Sequence, residues 1–235
     1  MISPEARADV RHTPAVDPSR FAALVDADLF PRSGKVFYSG RAAFSAPARL
    51  YLLGLNPGGS PLQQAGETIG RNLEAWRSRP ARWSDYVDES WAGKPPGTHG
   101  MAPRVRHLFD RLSLDPREVP ASNVVFVRSA READLAAEKE QLLDKCWRVH
   151  LAVIEKLEIS TVVCFGGTAG RWVRAKVDAN QKAGEFIEKN ERAWRSEAHL
   201  NRDGLCIVTT THPSIADWRN PASDPSRLIG EMLAR

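Results

Sequence analysis

Cysteine is scarce. The 235 residues hold three, Cys146, Cys164 and Cys206, far apart and odd in number. That pattern supports neither a disulfide framework nor a cysteine-rich zinc or iron–sulfur site, and it reads as buried thiols in a reducing compartment. Long apolar runs are missing too: nothing approaches the ~20 residues of a membrane span. The stretch from Met1 to Arg20 is polar and broken by prolines, without a signal-peptide pattern, so the expected location is cytoplasmic, on the nucleoid if the source is bacterial. Neither sign of charge dominates. With 33 basic and 29 acidic residues the net charge is +4, compatible with a polyanionic partner but not diagnostic of one.

Several catalytic signatures are also lacking. Gly-x-Gly-x-x-Gly and the Gly-Lys-Ser/Thr of a P-loop are absent, which leaves a nucleotide cofactor without support. The histidines show neither His-Glu-x-x-His nor Cys-x-x-Cys companions, so no metal is expected. No Gly-x-Ser-x-Gly elbow points to acyl transfer, and no carboxylate pair stands out.

What is there is ordinary globular composition, 42% hydrophobic and 26% charged, enough for a core without staples. Residues 1–17 read as a loose arm, and 18–235 as one domain. A first helix is expected over Pro18–Phe30, with Phe21, Leu24, Val25 and Leu29 on one stripe. Short apolar or β-branched runs mark strands at Ala48–Leu53, Asn123–Val127, Thr161–Phe165 and Leu205–Thr210. Helical spacing marks Leu135–Leu157, a helix carrying Trp172 and Val173, and a last helix over Ser226–Leu233. This alternation predicts an α/β fold: a three-layer α/β/α sandwich around a central, mainly parallel four-stranded sheet.

In such sheets ligands sit beyond the carboxyl ends of the strands. The first strand runs into Gly54-Leu55-Asn56-Pro57-Gly58-Gly59-Ser60-Pro61, the third into Gly166-Gly167-Thr168, the fourth into Thr211-His212-Pro213-Ser214, and the second opens on Asn123. Pro57 pushes Asn56 towards an extended backbone, so its amide is placed to orient a water or read an edge, although Asn-Pro and Gly-Gly also make plain turns. His212, fixed by Pro213, suits a general acid or hydrogen-bond donor. Arg71, Arg77, Arg79 and Arg82 interleave with Trp76 and Trp83. That is either a single-strand or flipped-base surface, or a solvated helix face with its tryptophans packed inward.

These motifs resemble a known family. Gly54-Leu55-Asn56-Pro57-Gly58 is similar to the water-activating motif of the mismatch-specific and single-strand-selective branches of the uracil-DNA glycosylase superfamily. His212-Pro213-Ser214 resembles the superfamily's second motif. Residues 57–70 resemble the single-strand-selective branch in length and in Gln and Gly placement. Ser122-Asn123-Val124-Val125 looks like the strand whose Asn reads the base, and Thr161–Ala169 like the strand with the glycine turn. The matches run in order over roughly residues 48–220.

The resemblance implies a monofunctional DNA glycosylase that hydrolyses the N-glycosidic bond of uracil, or of a 5-substituted uracil, flipped out of DNA. It needs no cofactor, and the chain is expected to be a monomer whose partner is DNA, not a membrane. Asn56 would position the attacking water, and His212 would hydrogen-bond the departing base. Asn123 would contact the base edge, with Gly54, Leu55 and Ile69 around it. Gly58, Gly59, Ser60, Gly167, Thr168 and Ser214 would meet the DNA backbone. Ile215, Trp218 and Arg219 would fill the gap left by the extruded nucleotide. The chain departs from the pattern in three places: Ile69 stands where an aromatic would stack, the loop after Ser214 lacks the usual proline, and residues 71–100 have no counterpart. A different base, deaminated or hypermodified, and a catalytically silent DNA-binding relative are the alternatives.

Overall fold

The computed structural model describes residues 15–91 and 93–235. All but the last three residues of the expected arm lie outside that range. The elements run α1 (Ser19–Ala23), β1 (Leu50–Gly54), α2 (Ile69–Ser78), α3 (Asp85–Asp88), α4 (Ala102–Leu112), β2 (Ala121–Asn123), α5 (Lys139–Lys156), β3 (Thr161–Phe165), α6 (Gly167–Lys176), β4 (Gln181–Ile187), β5 (Arg195–Leu200), β6 (Cys206–Thr210) and α7 (Ser226–Leu233).

The architecture is α/β, with helices on both faces of one mostly parallel sheet. The sheet has six strands rather than the expected four, in the order β2-β1-β3-β6-β5-β4. The first four of these run parallel, and β5 and β4 add an antiparallel hairpin beside β6. The hairpin escaped the sequence reading because its outer strand, Gln-Lys-Ala-Gly-Glu-Phe-Ile, is nowhere fully buried and shows no clean apolar alternation.

Along β1 and β3 successive side chains enter opposite cores, as the period of two requires. Tyr51, Leu53, Val162 and Cys164 join the cluster covered by α1, α2, α5 and α6. Leu50, Leu52, Val163 and Phe165 join the one covered by α4 and α7. All three cysteines are buried and unpaired. Burial pushes the Cys146 thiol up to about 12 and that of Cys206 to about 11. No helix among the described residues is long and apolar enough to cross a membrane.

Other boundaries shift for local reasons. The first helix stops at Ala23 because Asp26 turns extended and its side chain accepts from Asp28 N–H, opening a short 3₁₀ turn instead. The stripe nevertheless packs inward through Phe21, Val25 and Leu29. The second strand begins earlier than expected, at Ala121. Beyond Asn123 the chain stays hydrogen-bonded, with Val124 and Val125 N–H donating to the Gly54 and Leu55 carbonyls.

His150 on α5 is fully buried beneath this junction. Its Nε2 is 3.2 Å from the Val124 carbonyl, which can only accept, so Nε2 carries the proton and Nδ1 accepts from the Tyr51 hydroxyl at 2.8 Å. Burial drops the His150 pKa to about 4. An unfolded histidine titrates near ~6.5. Its contribution is therefore full above pH ~6.5 and lost as the pH falls from there towards 4, to a total of about 3 kcal/mol. Urea unfolding at neutral pH and near pH 4.5 should show that loss, and His150→Gln should flatten it.

Candidate active site

The four parallel strands deliver their carboxyl ends to one rim. From β1 the chain passes to β2 on one side and then crosses to β3 on the other, so the topological switch point is the gap between β1 and β3. Asn56 leaves β1 at this gap, Gly166 leaves β3, and His212 follows β6 next door.

Asn56 is half-buried and tightly held. Its Nδ2 donates to the Pro57 carbonyl and to Ser129 Oγ, both at 2.9 Å. Ser129 in turn donates to the Arg131 carbonyl. Both amide protons are thus used, and the rest of the side chain's capacity is Oδ1, an acceptor. Ser129 is buried, and no periodicity or motif marks it in the sequence.

His212 is held just as firmly. Ser214 N–H donates to Nδ1 at 3.0 Å, and Ser214 Oγ lies 2.7 Å from the same atom. An Nδ1 that accepts a backbone N–H has no proton of its own, so the neutral ring carries its hydrogen on Nε2. Burial lowers the His212 pKa and favours this neutral form. The ring rests edge-on against Phe165 and covers Gly166. Gly166 has φ +94°, a conformation that only glycine adopts without strain.

Asn123 is buried, and its Nδ2 donates to the Tyr38 hydroxyl at 2.8 Å. Its Oδ1 lies over Gly54, where a Cβ would stand only 2.1 Å away. Gly54 is therefore the space that Asn123 occupies. The Gly54 and Leu55 carbonyls are taken by Val124 and Val125. Tyr38, which the sequence reading passed over, is the aromatic next to Asn123 and stacks on Tyr86 at 6.2 Å.

Tyr38 opens onto a cavity of about 400 Å³, walled by Gly58 and Gly59 from the Asn56 loop and by Tyr86, Trp91 and His99 from the segment without a family counterpart. Lys35 lies in its wall, 2.6 Å from Asp85 Oδ2 and 2.9 Å from Glu89 Oε1. Burial alone would lower the lysine's pKa, but the two carboxylates outweigh it and the net shift is upward. The far wall reaches Ala102 at the start of α4. Two residues on, Arg104 donates to the Pro213 carbonyl and lies 3.6 Å from Asp217, tying the cavity wall to the His212 loop. Among the described residues no group of three or more His, Cys, Asp or Glu side chains is placed to hold a metal ion.

Several expected contacts need correction. Ile69 is fully buried in the core at the start of α2, so it cannot line a base pocket. Trp218 is also fully buried: its ring packs edge-on against Phe165 and its Nε1 donates to the Thr211 carbonyl, so it braces the His212 loop instead of projecting from it. Both donors of Ser214 face His212 and neither is free for a phosphate. The Thr168 hydroxyl is likewise engaged, with Glu132. Ser60 Oγ accepts from Gln63 N–H. Gly58, Gly59 and Gly167 are exposed on the rim. Ile215 is exposed at the tip of its loop, and the exposed Arg219 is folded back onto Asp217 at 2.8 Å.

The Arg–Trp interleaving is the second of the two alternatives, a solvated face with its tryptophans turned inward: Arg71, Arg77 and Arg82 are exposed, and Arg79 is half-buried. Trp76 is wholly buried with its Nε1 on the Ser39 carbonyl. Trp83 and Arg79 both bind Asp85, and Arg82 pairs with Asp115 and Glu118.

No protein-family model matches the chain, and no curated protein matches it.

Proposed function

We propose that the chain is a monofunctional DNA glycosylase that hydrolyses the N-glycosidic bond of uracil, or of a 5-substituted uracil, extruded from DNA in the cytoplasm. One observation carries the reading. On a single rim, Asn56 has both amide protons tied off and His212 has Nδ1 tied off, leaving one acceptor and one neutral donor. A reaction that needs a positioned water on one side and a stabilised leaving oxygen on the other uses that pair.

The target base is stacked in a duplex until it is flipped out, at a cost of a few kcal/mol. Once it is seated, Asn123 and Tyr38 face its edge. As the glycosidic bond stretches, negative charge builds on the base, and the His212 Nε2–H donates to the base carbonyl that receives it. A neutral donor gives this stabilisation without handing over a proton. Asn56 Oδ1 accepts from a water and aims it at the sugar; the proton that water sheds on forming the new C–O bond ends on the departed base anion, through solvent. An amide cannot take the water's proton as a carboxylate does, so the base must already leave well as an anion; uracil does so and cytosine does not. A Schiff-base route needs a neutral amine. Lys35 is kept charged by Asp85 and Glu89, which supports simple hydrolysis.

The test is a set of labelled oligonucleotides, single- and double-stranded, carrying uracil, 5-substituted uracils or hypoxanthine, followed by alkali. Strand breaks at uracil, lost in Asn56→Ala and reduced about tenfold in Ser129→Ala, are the expected result. Tight DNA binding with no break on any substrate removes the reading. A second reading keeps the reaction and enlarges the base, motivated by a cavity walled by residues of the 71–100 segment. Breaks confined to bulkier bases would favour it.

A further inference from the structure

The exposed aromatic flanked by cations that the sequence suggested near residue 76 exists elsewhere, assembled in space. The turn of the β4–β5 hairpin reaches the His212 rim. Its Trp194 is 41% exposed and lines a second cavity of about 290 Å³, together with Arg195, Gly166, Gly167, His212 and Ile215. The tip is fastened there. Arg192 lies over the Trp194 ring at 4.4 Å, binds the buried Glu188 at 2.8 Å, and donates to the Ile215 carbonyl. Lys189 N–H donates to the Ala222 carbonyl.

At the lining residue Gly167, Arg171, exposed on α6, reaches back so that an added Cβ would meet its guanidinium at 3.1 Å. Glu132, the acid that Arg171 influences, already has its oxygens on Lys139 and Thr168. The first turn of α6 adds backbone N–H groups and the positive end of the helix dipole.

We infer that this cavity seats an unpaired nucleotide of single-stranded DNA adjoining the reacting one, its base against Trp194 and its phosphate against Arg171 and the start of α6. The assignment rests on the glycosylase reading only in taking DNA as the partner. An open indole next to cations is the recurring platform for single-stranded nucleic acid, because every base offers a π-face. A paired strand keeps its bases stacked on their neighbours and leaves the indole unused.

The test needs no turnover. Binding of a short, dye-labelled, undamaged oligothymidylate is followed by anisotropy. Trp194→Ala, at an exposed position, should weaken it about five- to fiftyfold, with most of the affinity retained by Trp194→Phe. Arg171→Ala should reduce the slope of log affinity against log salt by about one. Unchanged binding by Trp194→Ala, an equal loss on the corresponding duplex, or no binding by the wild-type chain would overturn the assignment. If these effects appear while no base is ever excised, the glycosylase reading fails and this site stands; excision that is indifferent to Trp194 and Arg171 leaves the glycosylase and removes the site.

Discussion

His212→Ala should slow single-turnover base release by about ten- to a thousandfold, ~1.4–4 kcal/mol of transition-state stabilisation, with little change in DNA affinity. The range is that of one preorganised donor aimed at a developing anion. The wild-type pH profile carries a second part of this expectation. The competent ring is neutral, and protonating Nδ1 breaks its bond from Ser214 N–H. Because burial holds the His212 pKa below its ordinary value, the rate should stay level through neutral and alkaline pH and decline only below pH ~6.5. That acid limb should vanish in His212→Ala. A variant that turns over at the wild-type rate would remove His212 from the chemistry.

Trp218→Ala should have the largest effect on stability, a loss of about 3–5 kcal/mol in urea unfolding. A residue that only plugs a gap in DNA is exposed in the free protein, and its truncation leaves the unfolding midpoint alone. Trp218 is instead fully buried, and its removal empties the space beside Phe165 and strips the Thr211 carbonyl of its donor. Since Phe165 also backs the His212 ring, release of the base should slow as well, even under conditions where the variant is folded. Trp218→Phe should recover most of the packing but not the hydrogen bond. Wild-type stability in Trp218→Ala would contradict the packing described above.

The fold was legible wherever burial imposes a period. β3 and α7 match the sequence expectation, because a strand covered on both faces is a run of β-branched and apolar residues and a docked helix must carry a stripe. The β4–β5 hairpin was illegible because its outer strand faces solvent and nothing forces alternation on it. Within the site, Asn56 and His212 could be placed on one rim from strand ends alone. The holder of His212, Ser214, lies in the same motif, but those of Asn56 and Asn123 could not be read: Ser129 and Tyr38 come from distant segments, and a single hydroxyl leaves no pattern. Ile69 is different, because the signal was present. Ile69, Leu73 and Trp76 stand at i, i+4 and i+7, the inward stripe of α2, and all three are buried.

The hairpin also decides what the sheet presents to other molecules. On one flank β2 is overlaid by the segment around Phe37, which bridges to Ser122, so its backbone is not open for pairing. On the other flank β4 is the terminal strand. It carries Lys182 and Glu185, both charged and solvent-facing, and its register with β5 slips between Lys182 and Gly184. Charge and a local irregularity are the devices by which an unpaired strand resists templating a foreign one. The same hairpin that carries Trp194 to the rim therefore guards the sheet against edge-to-edge aggregation.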